Sequence, residues 1–128
     1  MERIQVKRSQ TPPQRGRLLS AIRTYLPGAW VSPSPQELIS LYRLRYRMAL
    51  EDGKYDSALI FLNKILEVDP MNSEAKLCVA ELYHRHLGDL GRAVEQYNKV
   101  IRLTASTPAD QVHKRARTSL TEILELLS

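Results

Sequence analysis

Apolar residues recur along this 128-residue chain at intervals of three and four, the spacing of a half-buried α-helix. Leu18, Leu19, Ile22 and Leu26 share one face of a short segment that Pro27-Gly28 stops. Ser34 and Glu37 can form a capping box with Pro35 at the first helical position, which predicts a helix from there to about Asp52. A wide stripe of Ala58, Leu59, Phe61, Leu62, Ile65, Leu66 and Val68 predicts a second helix from Tyr55 to Val68, ended by Asp69-Pro70. Asn72 can cap a third that runs to about His86, where Gly88 breaks it, and a fourth follows from about Asp89 to Leu103. The segment "TPAD" predicts the last start, with Thr107 as cap, Pro108 first in the helix and Asp110 as the reciprocal acid. From there Val112, Ala116, Leu120, Ile123, Leu124 and Leu127 continue at helical spacing. Only "YRLRYR", residues 42–47, alternates with the period of a strand, and it lies inside a capped helical run. The predicted fold class is all-α.

The chain also resembles itself. At an offset of 35, Gly53 aligns with Gly88, Ala58 with Ala93, Leu62 with Tyr97, and Asn63-Lys64 with Asn98-Lys99. The preceding helices align at 34, Tyr46 with Ala80 and Ala49 with Tyr83, so the second copy holds one extra residue within "HRHLG". The extra residue is expected to lengthen the turn. Small residues at 58, 80 and 93 suit close helix approach, and Leu62, Tyr83 and Tyr97 suit the gaps between hairpins.

This unit resembles the tetratricopeptide repeat, a hairpin of about 34 residues with a patterned first helix, A-x3-F in the second and a closing Pro. Ala58, Leu62 and Pro70 carry the pattern in the first copy; Lys76, Val79, Ala80, Tyr83, Ala93 and Tyr97 occupy its positions in the second. The resemblance implies antiparallel hairpins stacked as a short solenoid, with repeats at about 37–71 and 72–106 and a capping helix at about 108–127. It makes residues 15–128 one domain, with the short helix near 16–26 as the cover of the first hairpin. It also implies a concave groove lined by first-helix side chains. Carried over position by position, that groove takes Ser40, Arg43 and Arg47 from the first copy, Leu77, Glu81 and His84 from the second, and His113, Lys114 and Arg117 from the last helix. Members that hold a terminal carboxylate use paired Lys and Asn; here Arg43 and Arg47 stand at two such positions, and Cys78 stands where an Asn is expected. The implied ligand is an acidic peptide in general.

Charge changes the picture at one end only. Residues 1–23 hold Arg3, Lys7, Arg8, Arg15, Arg17 and Arg23 against Glu2, which is 6 − 1 = +5, the whole formal charge of the chain; the remainder balances 13 basic with 13 acidic residues. Attraction to nucleic acid, anionic lipid or an acidic protein therefore belongs mainly to this arm. Residues 1–14 read as an extended, partner-bound extension, expected to be retained and not cleaved as a targeting leader, and residues 16–30 are amphipathic enough to rest on a membrane surface. No window approaches the ~18 apolar residues of a membrane span. One cysteine excludes an internal disulfide and fits a reducing, intracellular setting, cytoplasmic or peripheral to a membrane within a complex.

The residues suggest little chemistry. His84 and His86, two apart, point about 200° apart on a helix and cannot chelate one ion, so no metal site is expected from them with Cys78 and His113. No phosphate loop, dinucleotide fingerprint or nucleophile with a base is present, and no cofactor is expected. The expected function is that of a non-enzymatic adaptor or accessory subunit of a larger assembly, which binds protein through the groove and the arm. Association with RNA or ribonucleoprotein, or with an anionic membrane, through the arm is the alternative.

Overall fold

The computed structural model describes residues 32–128. Among these residues the chain is all-helical: α1 (Pro35–Glu51), α2 (Tyr55–Val68), α3 (Ser73–Leu82), a π-helical turn (Tyr83–Leu87), α4 (Leu90–Leu103) and α5 (Gln111–Leu127), with no strand. The segment at 42–47 is helical, as its capped surroundings require.

Local chemistry sets most of the boundaries. At the start of α1 the Glu37 amide donates to the Ser34 hydroxyl at 3.1 Å, and the Ser34 amide donates to the Glu37 carboxylate at 2.8 Å, so two otherwise orphaned donors are satisfied. Asn72 caps α3 by accepting from the Ala75 amide at 3.0 Å, and Asp89 caps α4 by accepting from the Arg92 amide at 3.1 Å. Gly53 and Gly88 take the left-handed conformation between paired helices, with φ of 73° and 68°. The expectation for "TPAD" fails in detail. Thr107 spends its hydroxyl on the Thr104 carbonyl at 3.3 Å inside a tight turn, and Asp110 becomes the cap of α5, accepting from the Val112 amide at 3.1 Å.

Packing follows chain order: α1 on α2, α2 on α3, α3 on α4 and α4 on α5, with a further contact between α3 and α5. The connections within the α1–α2 and α3–α4 pairs are too short for anything but a hairpin. Two core clusters result. Ile39, Ala49, Ala58, Leu62, Ile65, Ala75, Val79 and Leu82 form one, and Leu77, Ala80, Ala93, Tyr97, Val100, Ala116 and Ile123 form the other. Residues that align at the offset of 35 share their burial: Ala58 and Ala93 are both fully buried, as are Leu62 and Tyr97 to within 2%. A methyl side chain at each close crossing lets the backbones approach, and a large side chain alongside fills the remaining space.

Helix α3 belongs to both clusters. At ~100° per residue, Ala75, Val79 and Leu82 lie on one flank and Leu77 and Ala80 on the other, which leaves a narrow row of Glu74, Cys78 and Glu81 between them. That row borders two surface recesses.

The extra residue of the second hairpin does not lengthen its turn. In the first hairpin the Lys54 amide reaches back to the Ala49 carbonyl at 2.8 Å; in the second the Asp89 amide reaches one residue further, to Tyr83 at 3.0 Å. The insertion is absorbed as a π-helical turn at the end of α3, a wider coil that takes up one extra residue. The turn separates the two histidines. His84 Nδ1 lies 3.0 Å from the Tyr97 hydroxyl, whereas the His86 ring stacks on Tyr55 at 4.3 Å between centroids and 20° between planes. His86 thereby ties the second hairpin to the start of α2. The expectation that residues 16–26 cover the first hairpin, and that residues 1–14 are extended, falls outside the described residues.

Candidate partner-binding surface

Two recesses border α3, one shared with α1 and the other with α5. The first, about 180 Å³, is lined by Arg43, Tyr46 and Arg47 of α1, Leu62 and Ile65 at its floor, and Asn72, Glu74 and Cys78 on the far side. Arg43 and Arg47 are one helical turn apart and exposed, and both line the same hollow. Tyr46 of α1 and Cys78 of α3 line it from different helices. Burial pushes both above their ordinary values, so the thiol stays protonated and is a poor nucleophile near neutral pH.

The second recess, about 290 Å³, runs between α3 and α5 and is lined by polar side chains, among them Glu81, Arg85, Lys114, Arg115, Thr118 and Glu122. Arg115 Nη2 donates to both oxygens of the Glu81 carboxylate, at 2.9 and 2.7 Å. Glu81 in turn stabilises the charged guanidinium and raises its value further. Arg85 reaches Glu122 at 3.6 Å and donates to the Ser119 hydroxyl at 3.5 Å. Both recesses fall below the ~300–1,000 Å³ usual for small-molecule sites, and each is sized for a side chain of a partner.

Several residues named from the sequence stand elsewhere. Leu77 does not line the surface: it is fully buried with Ala80, Ala93 and Tyr97, and Cys78, one residue and ~100° away, takes the outward place. His113 is also a core residue, 5% exposed. The Thr104 hydroxyl donates its one proton to the Val100 carbonyl at 2.7 Å, so the 2.8 Å contact with His113 requires Nδ1 of the histidine to carry a proton and donate. His84 is half-buried against Tyr97. Ser40 and Arg117 are exposed and line neither recess. Arg43, Arg47, Glu81 and Lys114 do line them. The basic arm, Arg3 to Arg23, lies outside the described residues.

The surface residues that the sequence reading missed include Glu74, Arg85, Arg115 and Thr118. A signal for the first two was present: Glu74, Cys78, Glu81 and Arg85 recur at intervals of four, three and four.

Known proteins add no relative. No family model matches the chain, and no curated protein or solved structure is significantly similar to it. The surface therefore has to be read from its own chemistry. Among the described residues no group of three His, Cys, Asp or Glu side chains is placed to hold a metal ion, and none of the helices is long and apolar enough to cross a membrane.

Proposed function

We propose that this chain is a non-enzymatic, tetratricopeptide-like binding module that holds an acidic peptide segment of a partner protein, as an adaptor or accessory subunit of a larger assembly. The observation that carries the reading is the pair Arg43 and Arg47, both exposed and both lining one side-chain-sized recess, where they outnumber its one acid, Glu74. Guanidinium groups one turn apart favour carboxylates through charge-assisted hydrogen bonds. The repeat of Gly53 and Gly88, of Ala58 and Ala93 and of Leu62 and Tyr97 supports the family resemblance.

Fluorescence anisotropy of labelled hexaglutamate with the intact protein at low salt tests this. The double variant Arg43→Glu/Arg47→Glu should weaken binding at least about tenfold, the equivalent of ~1.4 kcal/mol. Deletion of residues 1–23 should leave most of the affinity. Binding that ignores the double variant and vanishes with the arm would overturn the reading and favour the nucleic-acid alternative, which a labelled RNA and a steep salt dependence would then support.

A further inference from the structure

On the peptide-binding reading above, we infer that Glu81 is an internal competitor for the partner's carboxylate, and that the partner is an acidic segment with two acidic stations about six residues apart. Glu81 sits on α3, the helix that borders both recesses, and its carboxylate already occupies Arg115, with one guanidinium nitrogen within 2.9 Å of both its oxygens. This is the contact that an incoming carboxylate would make. The pair is accessible to exchange: the Arg115 side chain is 48% exposed and that of Glu81 23%. Exposed pairs add little net stability, so replacing one carboxylate with another is close to balanced, and Glu81 acts by occupancy.

The adjoining side chains suit the exchange. Lys114 lines the same recess from α5, so a ligand carboxylate that displaces Glu81 meets two cations. Arg85 is held back by Glu122 and Ser119 and contributes less. The first station, Arg43 and Arg47, is on α1 and the second, Lys114 and Arg115, on α5, with α3 between them. Both recesses border α3, the first at Glu74 and Cys78 and the second at Glu81 and Arg85, so the stations flank one helix of ~10–12 Å diameter with their cations beyond it on either side; an extended chain covers such a span, roughly 16–20 Å, in about five or six residues at ~3.3 Å each. A contiguous acidic run reaches one station at a time. A split run reaches both, provided that Glu81 yields.

The test uses two fluorescein-labelled peptides of one composition, Glu-Glu-Gly-Ser-Gly-Ser-Glu-Glu and Glu-Glu-Glu-Glu-Gly-Ser-Gly-Ser, titrated with the intact chain. Glu81→Gln should tighten the split peptide about three- to tenfold and the contiguous one by less than twofold. The gain should disappear when Arg115→Gln is added, with circular dichroism showing that all variants remain folded. Equal binding of the split peptide by the wild type and Glu81→Gln, or a gain that persists without Arg115, would overturn the inference. If the contiguous peptide is still lost in Arg43→Glu/Arg47→Glu, that failure leaves the first reading standing; if neither peptide binds any variant, both fall.

Discussion

The contact between His84 and Tyr97 offers the sharpest test of how the second hairpin is built. Tyr97 stands where the first hairpin has Leu62, and its hydroxyl is the atom that distinguishes the two positions. Its ring is fully buried, meets His84 edge-on at 5.8 Å, and places the hydroxyl 3.0 Å from Nδ1 at the start of the π-helical turn. Tyr97→Phe keeps the ring and its burial and removes only the hydrogen bond. The net worth of such a bond is about 0.5–1.5 kcal/mol, and because His84 is half-buried and can recruit water, the lower part of the desolvation penalty applies. A loss of about 1 kcal/mol corresponds to a fall in Tm of about 4–8 °C for a domain of this size. The assay is a double-mutant cycle of His84→Ala, Tyr97→Phe and the pair, followed by urea unfolding at pH 8. The coupling energy should be about 0.5–1 kcal/mol. Coupling below about 0.3 kcal/mol would refute the view that the π-helical turn and the tyrosine form one unit.

Two further outcomes follow from burial. Ala93→Leu inserts three carbons at a position with no exposure, where α4 crosses its neighbours, and should cost about 1–3 kcal/mol by overpacking, whereas Ile60→Ala, at 54% exposure, should stay within about 0.5 kcal/mol; thermal unfolding of both variants checks the contrast. Desolvation by burial, then Arg85, lowers His84 below its ordinary value of 6.5, with Glu122 and Glu81 opposing. The unfolded chain therefore takes up the His84 proton first as pH falls, so this contribution to stability is complete above 6.5 and is lost as the pH drops through 6.5 toward the folded value. Urea midpoints measured between pH 8 and 5 should fall less steeply in His84→Ala; an unchanged slope would count against the assigned burial.

Among the described residues, the all-helical class, the positions of the five α-helices and most of their ends were legible from residues close in sequence. The Ser34–Glu37 box, the Asn72 cap and the glycines at 53 and 88 act over three or four residues, so local pattern is enough to place them. Alanine at 58, 80 and 93 announced close packing for the same reason, because few alternatives suit so small a side chain between helices. Of the residues carried over from the resemblance, Arg43, Arg47, Glu81 and Lys114 line the two recesses, whereas Leu77 and His113 are buried.

What the sequence could not decide was direction and accommodation. Leu77 and Cys78 differ by a rotation of ~100°, and both are compatible with a helix; only the presence of neighbours on two flanks of α3 turns the first inward and the second outward. His113 looks like a surface donor until Thr104 and the Val100 carbonyl close around it. The extra residue in "HRHLG" was countable from the sequence, but a longer turn and a π-helical turn accommodate it equally well on local terms. Tyr97 and Tyr55, distant in sequence, supply the contacts with His84 and His86 that favour the second, and those contacts exist only once the hairpins have packed.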